Sequence, residues 1–313
     1  MSVHSGPTLT TIVVTHDNAD IVGRCLAAVR AAAVRHSQEI VVVDNASSDG
    51  TPEVARRAAP DAEVVELECN LGFAAANNVG IAHARGRLVA LVNSDCFPDP
   101  GALDRLIDAL DARPAAGLAG GRLRFDDGRH QSSGGALPTL FSELWLALGL
   151  HRFVLTERFG VAILWSPRLY ERPRRAGWVS GAFCVARREI GPLPELGFMY
   201  GEDAAWAAQA SARGYEAWLE PAAGAVHLGG ASVARERAGY AEARSVEALL
   251  RWFGARGRGQ LAAERAILCL HAGLRLAGAT ILLPRRRAFA VRTIRRYSVM
   301  LRAAARPGSR RAA

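Results

Sequence analysis

The chain has 313 residues, of which half are apolar and 22% are charged, so the composition excludes a disordered protein. Its five cysteines are scattered, with no CxxC pair and no Cys/His cluster, which argues against a zinc site and a disulfide framework. The net charge of +9 is uneven, because residues 235–313 contain 18 arginines and four glutamates and therefore carry +14, leaving −5 for residues 1–234. The sequence opens without a basic segment followed by a long apolar stretch, so we expect a cytoplasmic protein.

Short β-branched runs alternate with helical patterns over the first 125 residues. The runs predict buried strands at Thr10–Thr15, Glu39–Asp44, Ala62–Leu67 and Arg87–Asn93. Asp99 as N-cap and Pro100 as first helical residue predict the start of one of the helices. Strand–helix alternation predicts an α/β fold with a mostly parallel sheet, in which ligands bind beyond the carboxyl ends of the strands.

Polar residues follow two of these strands. Asp44 ends the second strand and opens the segment Asp44–Thr51, where it can accept from a base or a ribose hydroxyl. A strand–turn–helix junction with good capping residues explains the same segment equally well. The fourth strand ends at Asn93-Ser94-Asp95, where a carboxylate can hold a divalent cation against a diphosphate.

Two adjacent asparagines, Asn77 and Asn78, lie inside a helical pattern that follows Gly72. Asparagine has poor helix propensity, and these two have no capping role because more helix follows. They indicate ligand contact or, alternatively, hydrogen bonds to neighbouring loops.

The last polar cluster lies between residues 178 and 230. Glu202 and Asp203 follow Phe198 to Gly201, and a carboxylate enclosed by apolar residues acquires the raised pKa that a general base needs. The same pair can instead be an acidic first turn of a helix. His227 stands alone after Val226, and a lone histidine is more often structural than a ligand.

The order and company of these segments carry a resemblance over about residues 9–232. The segments are Val13–Asn18, Val43–Thr51, Asn70–Phe73 with Asn77-Asn78, Asn93–Asp95, Trp178–Ala182, Glu202-Asp203 and His227. Together they resemble the family-two glycosyltransferases, and within them the rhamnosyltransferase-like branch. The resemblance implies the GT-A nucleotide-sugar-binding fold and an inverting transfer of a sugar from a nucleotide diphosphate to a hydroxyl.

The resemblance also implies roles for individual residues. Asp203 would be the catalytic base, with Glu202 beside it. Asp95 and His227 would bind a divalent metal, Mn²⁺ or Mg²⁺, and Trp178 and Gly181 would shape the acceptor site. Nucleotide-sugar binding would fall to Thr15, Asp44, Asn45, Asp49, Asn70, Gly72, Asn77, Asn93 and Ser94. Asn93 departs from the family pattern, because the metal motif often begins with Asp at that place.

The donor sugar and the acceptor are predicted only from the resemblance to the rhamnosyltransferase-like branch. Rhamnose from dTDP-rhamnose is preferred, with UDP-galactose, UDP-GlcNAc and GDP-mannose left open. The acceptor would be an envelope glycan or a polyprenyl-linked glycan. An irregular segment, residues 125–176, is expected to cover part of the acceptor side.

A change of character near residue 235 predicts two domains, a catalytic domain at 1–234 and a basic helical extension at 235–313. The extension combines apolar stripes, including Val291, Ile294 and Leu301, with many arginines. A basic amphipathic region binds polyanionic surfaces, and we expect this one to hold the enzyme peripherally on the inner face of the plasma membrane. An arginine near the middle of the apolar stretch 266–283 argues against a true span.

Two other functions explain parts of the pattern. A nucleotidyltransferase also uses strand-end carboxylates and a metal, yet residues 15–25 offer only Gly23 and Arg24 for a phosphate loop. A nucleic-acid-binding protein would account for the basic tail, but the tail has no recognition motif and few interspersed aromatic residues. We therefore expect no nucleic-acid partner.

Overall fold

The central sheet of the computed structural model is built mainly from parallel strands, as the sequence predicts. The structure describes residues 6–150, 166–196, 201–229 and 240–306. The strands are β1 (Leu9–Thr15), β2 (Gln38–Asp44), β3 (Glu63–Glu66), β4 (Leu88–Asn93), β5 (Cys96–Pro98), β6 (Ala116–Arg124), β7 (His130–Gln131), β8 (Gly134–Gly135), β9 (Arg174–Ala176), β10 (Trp178–Val179), β11 (Phe183–Arg187) and β12 (Glu216–His227). The main sheet has the order β3-β2-β1-β4-β11-β6-β12-β5, with β11 and β5 antiparallel to their neighbours.

Helices cover both faces of this sheet. The helices of the described chain as a whole are α1 (Val22–Ala32), α2 (Thr51–Ala58), α3 (Phe73–His83), α4 (Ala102–Asp111), α5 (Leu140–Ala147), α6 (Glu202–Ala212), α7 (Tyr240–Gly254), α8 (Arg258–Leu282) and α9 (Arg287–Ala305). Apolar residues of α1, α2 and α4 pack on one face, and those of α3 and α6 pack on the other. The strands are apolar on both sides because both sides are buried.

The start of α4 differs from the prediction. The helix begins at Ala102, and its N-cap is Gly101, whose φ of 71° is left-handed. Asp99 does not cap it, because its carboxylate forms a bidentate ion pair with Arg124 of β6 at 2.6 and 2.8 Å. The Asp99 side chain, which the sequence predicted as the cap of the helix, therefore binds the Arg124 guanidinium instead.

The chain divides into two compact units. The first comprises Met1–Leu137, Ile163–Phe198 and Glu202–Arg235, and the second comprises Pro138–Ala162, Met199–Gly201 and Glu236–Ala313. The second unit is helical where it is described, with a small core formed by Val246, Leu268, Ala303 and Ala304. It includes α5, which belongs to the segment that the sequence associates with the acceptor side, and α5 packs against α8.

Candidate active site

One edge of the main sheet collects most of the residues singled out in the sequence. Thr15, Asp44, Asn93 and His227 are the last residues of β1, β2, β4 and β12, four strands that run in the same direction. The antiparallel strand β11 begins at this edge, where the N–H of Asn93 donates to the carbonyl of Ala182 at 3.0 Å. The geometry is that of an α/β sheet with its ligand site beyond the carboxyl ends of its strands.

Asp44 is buried and accepts hydrogen bonds from its neighbours. Thr15 Oγ1 donates to Oδ1 at 2.9 Å, and the backbone N–H of Ser47 donates to Oδ2 at 2.9 Å. These bonds fix the carboxylate at the strand end and close the turn that leads to α2. Asp44 therefore stabilises the strand–turn–helix junction, and it is also a residue that the resemblance assigns to nucleotide-sugar binding.

Two residues other than glycine at this edge have left-handed backbone conformations, Asp17 with φ 50° and Ala46 with φ 62°. They lie in adjacent loops, and the N–H of Asp17 donates to Ser47 Oγ at 2.9 Å. Such conformations are uncommon outside glycine and concentrate at functional sites. Asp49 braces the same loops by accepting from the N–H groups of Ala19 at 3.0 Å and Thr51 at 3.1 Å.

Asn45, Asn70 and Gly72 form a connected hydrogen-bond network at the start of α3. Asn45 Nδ2 donates to Asn70 Oδ1 at 2.9 Å, and Asn45 Oδ1 accepts from the N–H of Leu71 at 2.8 Å. Asn70 Oδ1 also accepts from the N–H of Gly72 at 3.0 Å. Gly72 has φ 84°, a conformation that favours glycine, and the network holds it at the edge of the sheet.

The two adjacent asparagines of α3 have different surroundings. Asn78 pairs with the backbone of Leu193, donating to its carbonyl at 2.9 Å and accepting from its N–H at 2.7 Å. The structural interpretation therefore describes Asn78. Asn77 is 2% exposed, and its amide nitrogen donates to the carbonyl of Phe73, one turn earlier in the helix, at 2.9 Å.

Asp95 and His227 lie together, although 132 positions separate them in the sequence. His227 Nε2 is 3.2 Å from Asp95 Oδ1 and 3.5 Å from Asn93 Nδ2. Ser94 points elsewhere, because its hydroxyl donates to Asn18 Oδ1 at 2.8 Å. Asn18 belongs to the loop after β1, so this bond links the first and fourth strand ends.

The pair formed by Asp95 and His227 fits a divalent cation that shares its coordination with a substrate. It offers one oxygen and one nitrogen donor, and no group of three or more His, Cys, Asp or Glu side chains suited to a metal occurs among the residues that the structure describes. A cation held by so few side chains takes its other ligands from water and from substrate phosphates. This donor set is suited to Mn²⁺ or Mg²⁺ bound with a diphosphate rather than to a closed structural site.

Gln131 is a member of this site that the sequence did not reveal. Its Oε1 lies 3.1 Å from His227 Nδ1, on the opposite side of the ring from Asp95. In the neutral tautomer with its proton on Nδ1, His227 donates to this amide oxygen, and Nε2 keeps the lone pair that a metal ligand requires. No local motif marks Gln131, because it reaches the histidine only through the pairing of β7 with β6.

Asp203 lies in the first turn of α6 and faces Gly181. The backbone N–H of Gly181 donates to Asp203 Oδ1 at 3.0 Å. A Cβ atom at position 181 would come within 2.7 Å of that oxygen and 3.2 Å of Phe73 Cζ. Only glycine therefore allows the carboxylate to approach the backbone this closely.

The environment of Asp203 suits a base. Burial, and then the negative charge of Glu202, raise the pKa of the Asp203 carboxyl well above its usual range, against a smaller lowering by the Gly181 hydrogen bond. Once deprotonated, a carboxylate with a raised pKa is a stronger proton acceptor. Glu202 itself is 7% exposed. The residues before Gly201 that the sequence proposes as the apolar enclosure lie outside the described part of the chain.

Trp178 lies in β10, two residues before the Ser180-Gly181 turn, and is partly buried against the α3–α6 face of the sheet. Its strand pairs with β8 through Gly135. The small two-stranded sheet thus leads directly to the glycine that contacts Asp203.

Comparison with known proteins identifies the fold and the enzyme class. The model of the family "Glycosyl transferase family 2" matches residues 10–162. The chain is 28% identical over 253 residues to an N-acetylglucosaminyl-diphospho-decaprenol L-rhamnosyltransferase of Mycobacterium tuberculosis, covering 74% of this chain and 80% of that protein. It is 31% identical to the succinoglycan biosynthesis protein ExoO of Rhizobium meliloti, covering 73% of this chain and 63% of that protein.

Among solved structures, the mannosyltransferase PcManGT from Pyrobaculum calidifontis, in complex with GDP-Man and Mn²⁺, aligns with a TM-score of 0.56 at 21% identity. The alignment covers 96% of this chain and 86% of that one. GalNAc-T7 with UDP, GalNAc and Mn²⁺ aligns with a TM-score of 0.53 at 16% identity, covering 71% of this chain and 44% of that one. The predicted GT-A fold is confirmed, and the chain is a family-two glycosyltransferase.

Proposed function

We propose that this family-two glycosyltransferase transfers a sugar, with inversion, from a nucleotide diphosphate to a hydroxyl of a polyprenyl-linked or envelope glycan. The observation that carries the proposal is the convergence of Asp44, Asp95, His227 and Asp203 around one edge of the sheet. The first three suit a nucleoside diphosphate and the last suits the deprotonation of an acceptor. Rhamnose is the preferred sugar, because a relative is named for its transfer to a diphospho-decaprenol acceptor.

The donor would lie along the strand ends. In this arrangement Thr15 and Asp44 would contact the nucleoside, and the hydrogen-bonded group of Asn45, Asn70 and Gly72 would lie beside it. Asp95 and His227 would hold Mn²⁺ or Mg²⁺ at the diphosphate, where a bound cation neutralises charge on the leaving group. The preferred nucleotide follows from the preferred sugar and is dTDP, with UDP or GDP as alternatives.

The transfer step is a single displacement at the anomeric carbon. The acceptor oxygen forms the new glycosidic bond as the bond between that carbon and the diphosphate oxygen breaks. Asp203 accepts the proton of the attacking hydroxyl, and its Gly181 hydrogen bond leaves Oδ2 as the better-placed proton acceptor. Attack from the face opposite the leaving group inverts the anomeric configuration.

A donor panel tests this function. Purified full-length protein is incubated with Mn²⁺ or Mg²⁺ and dTDP-rhamnose, UDP-galactose, UDP-GlcNAc or GDP-mannose, and nucleotide release is measured with and without a polyprenyl-linked acceptor. We expect acceptor-stimulated release from one donor, with dTDP-rhamnose first in rank, and a product of inverted configuration by NMR. A product of retained configuration would overturn the single displacement.

We also propose that the enzyme acts at the inner face of the plasma membrane, where a polyprenyl-linked acceptor is embedded. The support is the +14 charge of residues 235–313, since basic residues near an anionic leaflet contribute about 1 kcal/mol each before screening. Within α9, Val291, Ile294 and Leu301 are each partly buried, so the apolar stripe that the sequence assigned to the membrane is only partly available. Attraction through arginines alone weakens with salt.

A further inference from the structure

From Ala262 to its end at Leu282, the exposed side of α8 carries no charged residue and is almost entirely apolar. Its exposed residues between positions 262 and 281 carry no charge, and they are Ala262, Ala266, Leu270, Gly273, Leu274, Ala277, Thr280 and Ile281. Leu270 is 42% exposed, Leu274 47% and Ile281 77%. A surface helix of a water-soluble protein has the opposite arrangement, with polar residues outward.

The charged residues of the same stretch are not on its exposed side, because Glu264 is buried and Arg265 and Arg275 are partly buried. Glu264 is 0% exposed, and neither of its carboxylate oxygens has a hydrogen-bond partner. Arg265 donates to the carbonyls of Ala304 and Arg306 at the end of α9. Thr280, the one hydroxyl on the exposed side, donates to the carbonyl of Leu276 within its own helix at 2.9 Å. Over this stretch α8 therefore exposes apolar side chains and keeps its charged side chains off the exposed side, the reverse of a helix that faces water.

Helix α5 repeats this inversion beside α8. Phe141, Leu144 and Leu148 are 51%, 37% and 49% exposed, whereas Glu143 is 8% exposed. Spacings of three and four residues place the three exposed side chains on one face of the helix. Because α5 packs against α8, the unit presents apolar residues outward from two neighbouring helices.

Arginines flank the apolar side of α8 at both ends. Arg256 and Arg258 are exposed at its start, and Arg285, Arg286 and Arg287 are exposed just after its end. Ala262–Leu283 spans about 33 Å at 1.5 Å per residue, a length similar to the hydrocarbon thickness of a bilayer. By length and composition α8 is also the one helix in the described chain apolar enough to cross a membrane.

We propose that the outward side of α5 and α8, which we call the lipid face, contacts the acyl chains of a bilayer while Arg285–Arg287 bind anionic headgroups. The lipid face is defined by Phe141, Leu144, Leu148, Leu270, Leu274 and Ile281. An exposed apolar surface of this kind marks an interaction site, and the flanking arginines select a lipid surface over a second apolar protein surface. The proposal goes beyond the glycosyl transfer and beyond attraction through the basic tail, because it assigns membrane contact to hydrocarbon burial.

Vesicle flotation of the full-length protein tests the lipid face. The vesicles contain phosphatidylcholine with or without phosphatidylglycerol, at low salt and at 1 M NaCl. The test variant carries Leu270→Glu and Leu274→Glu, and the control is Val34→Glu, a substitution of a 73% exposed apolar residue in the first unit. Because all three side chains are exposed, none of the substitutions creates a cavity.

We expect wild type and control to stay bound at 1 M NaCl and the test variant to lose at least tenfold of that salt-resistant binding. Loss of wild-type binding at 1 M NaCl would overturn the proposal, since it would leave only attraction between charges. Equal binding of the test variant would overturn it too. If the test variant instead converts a dimer to a monomer in light scattering with unchanged vesicle binding, the occupant is a second copy.

A second measurement does not depend on the folding of the glutamate variant. Leu274→Cys and Val34→Cys are made in a Cys69→Ser, Cys269→Ser background, which removes the exposed and the partly exposed cysteine, and are labelled with an environment-sensitive fluorophore. Vesicles should shift the emission of the label at position 274 to the blue and leave position 34 unchanged. Absence of the shift at 274 counts against the proposal. Nucleotide release is assayed separately on each protein, so failure of the glycosyl transfer is distinguished from failure of membrane contact.

Discussion

The backbone N–H of Gly181 and the carboxylate of Asp203 meet at 3.0 Å, although 22 positions separate them. Gly181 lies in the turn between β10 and β11, and Asp203 lies in the first turn of α6. The bond therefore joins the turn that precedes the antiparallel strand to the helix that carries the proposed base.

Gly181→Ala should damage acceptor transfer more than donor binding. The added Cβ would lie 2.7 Å from Asp203 Oδ1, so the carboxylate must move. Displacement of a reacting group by about 1 Å can cost roughly 10²-fold in rate. We expect kcat for transfer to fall by about that factor with an unchanged donor KM. Gly23→Ala is the control, because its Cβ meets its neighbours at ordinary contact distances of 3.7 and 3.8 Å. An equal loss in both variants would contradict this role for Gly181.

Asp203→Asn should reduce transfer by about 10²–10⁴-fold, the usual contribution of a positioned base. In the wild type the base acts only when deprotonated, so the transfer rate should rise with pH. Its midpoint should lie above the ordinary aspartate range because burial and Glu202 raise the pKa of Asp203. Glu202→Gln removes the neighbouring negative charge, which makes deprotonation easier and should move the midpoint to lower pH. A midpoint that moves upward, or near wild-type transfer by Asp203→Asn, would contradict the assignment.

Asp95→Ala should abolish donor turnover while leaving the fold intact, because it removes the only carboxylate of the proposed pair with His227. Mn²⁺ binding, followed by the electron paramagnetic resonance of the free ion in the presence of nucleotide, should weaken in parallel. Circular dichroism checks the fold. Donor turnover that persists undiminished in EDTA would exclude the metal-dependent mechanism.

The strand positions were predictable because buried parallel strands are written as short β-branched runs. The four runs match β1 to β4 within a residue or so at each end, and the polar residues Thr15, Asp44 and Asn93 that end three of them lie at one edge of the sheet. The predicted start of α4 was wrong because Asp99 binds Arg124 instead of capping the helix. Arg124 lies 25 residues away, so no local sequence pattern indicates this contact.

Gln131 and the lipid face escaped the sequence for the same reason. The contact of Gln131 with His227 spans 96 positions, and the outward side of α8 can be identified only when its neighbours are known. A hydrophobic pattern shows which residues share a helix face, but not which face the rest of the protein covers. For this reason the sequence alone did not predict that Glu264 is buried and Leu270 is exposed.

Gln131→Leu should weaken Mn²⁺ binding by about 10–100-fold, the usual effect of losing an outer-shell partner. The leucine cannot accept the Nδ1–H of His227, so the ring is free to rotate or to present the wrong tautomer. Titration of Mn²⁺ in the presence of nucleotide measures the change directly, without reference to turnover. Gln38→Leu is a matched control, because Gln38 begins β2 at the opposite edge of the sheet. Unchanged Mn²⁺ affinity in Gln131→Leu would show that His227 needs no such support.

Asn78→Ala should lower stability without affecting the donor, in contrast to its neighbour Asn77. The Asn78 side chain forms two hydrogen bonds with the backbone of Leu193 and a third with Glu195 at 3.1 Å. Leaving buried backbone groups unsatisfied costs about 1–3 kcal/mol each, so we expect the free energy of unfolding to fall by that order. Changing Asn77, which the resemblance assigns to nucleotide-sugar binding, to alanine should raise the donor KM. Urea unfolding and donor titration of both variants separate the two roles. A raised KM in Asn78→Ala with unchanged unfolding would reverse the assignment of the two asparagines.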